Sequence, residues 1–137
     1  MLEHHYAHRV RYRECDRMGV VYHVHYLDYF EAARTEMIRA LGVPYLEIEN
    51  SGFLIQVVQV NVRYHSPAYY DDELVVTVRV SKLPTSRLTL ENEVRRRGED
   101  RILASGQIDL CFVSDETKRP VRAPDYFVAA FEKALNQ

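Results

Sequence analysis

The sequence predicts an α+β fold in which one long helix packs against one antiparallel sheet, and three observations predict it. From Tyr26 the apolar positions recur at Phe30, Ala33, Met37 and Leu41, the period of an amphipathic helix, with Leu27, Tyr29 and Ile38 widening the stripe. After Gly52 most of the chain alternates with the period of two that marks half-buried strands. The connections between those strands are too short for parallel crossovers, which need about a dozen residues or more.

The elements follow in order. Tyr6 to Glu14 alternates polar with apolar or aromatic residues around Val10 and Tyr12, and reads as a first strand. Asp16 to Gly19 is a short acidic turn. The helix then runs from about His25 to Leu41, roughly 25 Å at 1.5 Å per residue. Its interior is rich in Glu, Ala, Arg, Met and Leu, and Gly42 followed by Pro44 stops it. Val43 to Gly52 is a connection with one short helical turn at Tyr45 to Ile48.

Leu54, Val58, Val60, Val62 and Tyr64 share one parity of the next strand, Gln59, Asn61, Arg63 and His65 the other, and Pro67 ends it. Leu74 to Val80 is a strand rich in Val after the Asp71-Asp72-Glu73 turn, and Lys82 to Arg87 is a loop. Leu88 to Arg96 and Ile102 to Val113 form a hairpin about Arg97 to Asp100. Pro120 and Pro124 precede a terminal helix with Phe127, Ala130, Phe131 and Leu135 on its apolar side. A curved sheet of this kind can wrap the long helix. Its edges remain open, so association through an edge strand, giving a dimer, is expected.

A chain of 137 residues is most simply one domain spanning 1–137 and can bury roughly two-thirds of its unfolded surface. Eighteen basic and 20 acidic residues leave a formal charge of -2, which argues for neither a nucleic-acid nor an anionic-membrane partner. Two cysteines, Cys15 and Cys111, have no CxxC spacing and suit free thiols in a reducing compartment. No apolar run approaches the ~18 residues of a membrane span, and the polar start Met-Leu-Glu-His-His-Tyr does not resemble a signal peptide. The expected location is the cytoplasm.

The residues with chemistry in reach cluster before the long helix. Asp16 precedes a helix whose first N–H groups have no intrahelical acceptor, and such a terminus attracts anions or a developing oxyanion. A carboxylate beside donors able to polarise a carbonyl suits acyl transfer; the alternative is that Asp16 only stabilises its turn. His23 and His25 do not share a helical face, and no spacing completes a metal motif, so no metal and no cofactor are expected. His4, His5 and His8 read as a mobile or surface cluster, and Arg95-Arg96-Arg97 as a hairpin end.

The run Tyr12-Arg13-Glu14-Cys15-Asp16-Arg17-Met18-Gly19-Val20-Val21-Tyr22-His23-Val24-His25-Tyr26, then Phe30-Glu31-Ala32-Ala33-Arg34-Thr35-Glu36, resembles the 4-hydroxybenzoyl-CoA thioesterase family of hotdog-fold proteins. It looks closest to the bacterial short acyl-CoA thioesterases encoded with the Tol-Pal envelope system. The likeness continues through Val62-Arg63-Tyr64-His65-Ser66-Pro67-Ala68 and Asp71-Asp72-Glu73-Leu74. It implies a helix wrapped by a curved antiparallel sheet, dimers formed through the sheet, and active sites at the dimer interface. It implies further that Asp16 is the catalytic carboxylate, that the N–H of His23 polarises the thioester carbonyl, and that Tyr22 shapes the acyl pocket.

Gly19 is expected to contact substrate, and Thr85, Ser86 and Arg87 are candidates for the CoA moiety. Met18 and His25 depart from the family pattern, where a small residue and Asn or another small polar residue are common; both bear on pocket shape. The expected activity is hydrolysis of acyl-CoA by a homodimer or dimer of dimers. The competing readings are a non-catalytic hotdog module that binds acyl-CoA or acyl carrier protein, and a dehydratase, for which the resemblance supplies no His and acid pair.

Overall fold

The computed structural model describes residues 1–136. The chain runs β1 (Leu2–Arg9), a single 3₁₀ turn at Tyr12–Glu14, α1 (His25–Ala40), α2 (Tyr45–Asn50), β2 (Phe53–Tyr64), β3 (Glu73–Val80), β4 (Arg87–Arg96), β5 (Ile102–Ser114) and α3 (Asp125–Leu135). All five strands pair antiparallel in one sheet of order β1-β3-β4-β5-β2. β1 and β2 are therefore the two edges, and α1, which joins them in sequence, crosses one face of the sheet.

The helix forms where the periodicity places it and buries the stripe that defines it. Tyr26, Tyr29, Phe30, Ala33, Met37 and Ile38 are all buried, against Leu74, Val76 and Val78 of β3, Leu90 and Val94 of β4, and Ala104 and Ile108 of β5. Leu27, placed at the margin of the stripe, is exposed instead. Phe112 meets Phe127 edge-on at 4.9 Å and Phe127 packs at a tilt on Phe131 at 4.8 Å, so α3 closes one end of the same core.

Three expectations need correction. Tyr6 to Glu14 is not one strand: β1 ends at Arg9, and the backbone turns inward at Tyr12–Glu14. The alternation persists past Arg9, but the pairing with β3 stops there, where Val10 instead exchanges hydrogen bonds with Asp71 and Asp72. His8 does not belong to a surface cluster, because its ring reaches inward to the buried carboxylate of Glu14 at 2.9 Å. In β2 the alternation predicts that the face of Leu54, Val58, Val60, Val62 and Tyr64 is buried, yet Val58, Val60 and Tyr64 are exposed, as is Val57. The pairing with β5 shifts by one residue between Val57 and Gln59, which leaves Val58 without a partner, and the strand is an edge.

Candidate active site

The segment Glu14–Tyr22 folds back on itself as a small hairpin that ends at the start of α1. Tyr22 donates its N–H to the Glu14 carbonyl at 2.9 Å, Asp16 to Val20 at 2.9 Å, and Gly19 to Asp16 at 3.0 Å. Gly19 adopts a φ of +79°, a left-handed conformation costly for a side chain, which explains a glycine at the tip. A further bond from Val21 to the Ala68 carbonyl (2.9 Å) ties the hairpin to the segment between β2 and β3.

Asp16 is half-buried at the base of this hairpin. Its Oδ1 accepts the Met18 N–H at 2.8 Å, which fixes the carboxylate plane. Among the described residues Oδ2 has no hydrogen-bond partner. The carboxylate thus has one oxygen spent on orientation and one available.

The start of α1 supplies the complementary charge. Val24 caps the helix with no side-chain bond to the first turn. His25 donates to Tyr22 at 2.9 Å and Leu27 to Val24 at 3.1 Å, whereas among the described residues the N–H groups of His23 and Val24 have no acceptor. Two unpaired donors at the positive end of a 16-residue helix can attract an anion or a partial negative charge.

Two hollows meet at Asp16. A cavity of about 310 Å³ is lined by Asp16, Val20, His23, Tyr26, Tyr64 and Ser66. A wider cleft of about 720 Å³ on the other side is lined by Asp16, Gly19, Tyr22, Arg17, Tyr12 and Tyr70. Four of the residues singled out in the sequence, Asp16, Gly19, Tyr22 and His23, are therefore together. Thr85, Ser86 and Arg87 are not brought to them within one chain: they sit at the start of β4, beside Phe112 and Ala123, at the opposite end of the sheet from the Asp16 hairpin.

Sequence reasoning passed over Tyr64 as a site residue. Its hydroxyl donates to the His23 carbonyl at 3.0 Å, and its ring meets those of His23 and Tyr26 edge-on at 6.0 and 5.3 Å. Burial raises the pKa of both Tyr26 and Tyr64 above the ordinary phenol value, so both remain neutral donors. Burial, and then the carboxylates of Glu14, Asp16 and Asp72, push the Cys15 thiol up, so the neighbour of Asp16 stays uncharged at neutral pH. The Val62 to Ala68 motif marked this stretch without giving Tyr64 a task.

The thioesterase-like superfamily profile matches residues 10–131, nearly the whole chain. The chain belongs to that superfamily. It is also 32% identical over 126 residues to the acyl-CoA thioesterase YbgC of Haemophilus influenzae, covering 90% of each chain. This thioesterase-like chain is 28% identical over 136 residues to a 1,4-dihydroxy-2-naphthoyl-CoA hydrolase of Thermosynechococcus vestitus, covering 96% of this chain and 93% of that one. Among solved structures it superposes on a DHNA-CoA thioesterase from Staphylococcus aureus with a TM-score of 0.88 at 29% identity, covering 99% of this chain and 94% of the other. The wrapped helix and five-stranded curved sheet are the hotdog fold of the family.

Proposed function

We propose that this hotdog protein hydrolyses the thioester of an acyl-CoA, with Asp16 as the reacting carboxylate and the start of α1 as the carbonyl-polarising group. One observation carries the reading: the free Oδ2 of Asp16 belongs to a carboxylate that lines the same cavity as His23, whose N–H has no acceptor among the described residues. The activity named for the Haemophilus relative is the activity this pairing suits.

In the reaction the thioester carbonyl oxygen sits at the His23 and Val24 N–H groups. Asp16 Oδ2 attacks the carbonyl carbon, the bond to sulfur breaks, CoA leaves as the thiolate and takes a proton, and water cleaves the resulting anhydride. In the other form of the step Asp16 takes a proton from water, which attacks in its place. When water opens the anhydride at the Asp16 carbonyl carbon, a single turnover in ¹⁸O-labelled water puts the label into Asp16 and leaves the acid unlabelled, whereas the general-base route labels the acid and never Asp16. One oxyanion donor is worth on the order of 3 kcal/mol of transition-state stabilisation.

Dimerisation fits the same reading. β2 is an edge strand with exposed Val57, Val58 and Val60, and antiparallel pairing with its copy sets the Tyr64 end of one strand beside the Phe53 end of the other. Thr85, Ser86 and Arg87 lie at that Phe53 end, so a CoA arm leaving Asp16 reaches them across the interface.

The test is hydrolysis of a panel of aliphatic, benzoyl and 1,4-dihydroxy-2-naphthoyl thioesters of CoA by the native protein and by Asp16→Asn. Turnover falls by at least a thousandfold in the variant while fold and assembly persist. Unchanged turnover rules the assignment out. A module that only binds acyl-CoA shifts its Tm with ligand and releases no thiol.

A further inference from the structure

Glu14 is a buried carboxylate, 8% exposed, two residues before Asp16 and outside both hollows. A single oxygen, Oε1, accepts three hydrogen bonds of 2.9 Å, from the Arg11 N–H, the Tyr29 hydroxyl and His8 Nε2. An ionised carboxylate only accepts, so His8 carries its proton on Nε2. The His8 and Tyr29 rings lie 4.5 Å apart and close over the carboxylate. Burial works against the charged form of Glu14, but these donors outweigh it and hold its pKa below the ordinary value.

The three donors come from different parts of the molecule: His8 from β1, Arg11 from the residue that precedes the 3₁₀ turn, and Tyr29 from the second turn of α1. The Glu14 carbonyl in turn accepts the N–H of Tyr22, the residue before His23. One residue therefore fixes both ends of the hairpin, the end that presents Asp16 and the end that presents the His23 N–H, relative to the body of α1.

We infer that Glu14, braced by Tyr29 and His8, is a positioning residue that sets the Asp16 carboxylate against the start of α1. It touches no substrate. Its contribution is geometric, and a displacement of about 1 Å at a reacting group can cost a hundredfold in rate. The inference rests on the reading of Asp16 given above.

The experiment measures kcat and KM for the acyl-CoA best turned over by the native enzyme, together with thermal unfolding, in Glu14→Ala, Glu14→Gln, Tyr29→Phe and the Glu14→Ala/Tyr29→Phe pair. Glu14→Ala lowers kcat about a hundredfold with KM within threefold. Glu14→Gln, which keeps an acceptor oxygen, recovers at least a tenth of native kcat. Tyr29→Phe lowers kcat about fivefold, and the double variant is no slower than Glu14→Ala, because the hydroxyl acts only through the carboxylate.

Native kcat in Glu14→Ala, no recovery with Gln, or multiplying effects in the double variant would each overturn the inference. If Glu14→Ala does not fold, Tyr29→Phe decides: a fivefold loss of kcat supports the inference, and native kcat removes it. Asp16→Asn, assayed alongside, separates the two readings. If it is inactive while Glu14→Ala is normal, only the positioning role falls; if it is fully active, both fall.

Discussion

Gly106 of β5 lies directly beneath Phe30 of α1: a Cβ at Gly106 would stand 3.2 Å from Phe30 Cε2, 3.0 Å from the Asn61 carbonyl oxygen and 3.1 Å from Val62 Cγ2. The absent side chain lets the helix rest on the sheet where β5 pairs with β2. Two of the three neighbours are backbone or a fully buried ring, which have little room to give. Gly106→Ala is therefore destabilising by about 1–3 kcal/mol despite the usual gain from replacing glycine in a strand. The check is urea unfolding, in which the midpoint falls at unchanged slope. An unmoved midpoint would mean that α1 shifts without cost.

Tyr64 holds the peptide between His23 and Val24 through its bond to the His23 carbonyl, and that peptide carries the Val24 N–H. Tyr64→Phe leaves the ring packing against Tyr26 and frees that peptide. Loss of one neutral hydrogen bond worth about 1 kcal/mol lowers kcat about fivefold. Since Tyr64 is 48% exposed, Tm changes by no more than about 5 °C. Steady-state kinetics and a melting curve on the same sample test this; a large fall in Tm would make the hydroxyl structural.

Glu14 also predicts a pH dependence of stability. Its folded pKa lies below the ordinary 4.5, so the native state binds fewer protons than the unfolded state as pH drops below that value. The stability it contributes is complete above pH ~5 and is lost as pH falls through the lowered native value. Tyr29→Phe removes one donor, moves that value back up, and makes the acid loss shallower. Glu3 and Glu93, also lowered, contribute equally in both proteins and drop out of the difference. Urea unfolding from about pH 6 to pH 3 gives the two curves, and parallel curves would contradict the role of the Tyr29 bond.

How far the sequence carried can be seen at particular residues. α1 was legible to within a residue, because Tyr26, Phe30, Ala33 and Met37 repeat one contact with the sheet at helical spacing. Asp16, Gly19 and Tyr22 lie close together because one hairpin of nine residues carries them, and His23 follows it directly, so their proximity is local in sequence. Tyr12–Glu14 was misread, since its inward turn depends on Glu14 meeting His8 and Tyr29, a pairing with no periodic signature. Tyr64 was missed for the same reason: it enters the site from β2, 41 residues from its partner. The β2 pattern showed which residues are apolar, and only the strand order showed that β2 is an edge, where among the described residues Val57, Val58 and Val60 stay exposed.

That uncovered strand gives the last prediction. Val57, Val58 and Val60 are 50%, 45% and 40% exposed along the free edge of β2, which also leaves unpaired backbone groups available to a second copy. Val58→Lys with Val60→Lys places two charges in that interface. Neither side chain is buried within the chain, so the fold tolerates the change while the edge pairing does not. Light scattering then reports a monomer where edge-to-edge pairing of β2, as proposed, gives the native protein as a dimer or a dimer of dimers. The monomer keeps Asp16 and its hairpin but loses the approach of Thr85, Ser86 and Arg87 from the second copy, so KM for acyl-CoA rises at least tenfold. The hydrolysis of a truncated acyl-pantetheine thioester, which lacks the nucleotide, changes less. A folded monomer with native KM would place CoA recognition within one chain, and an unchanged dimer would move the interface away from β2.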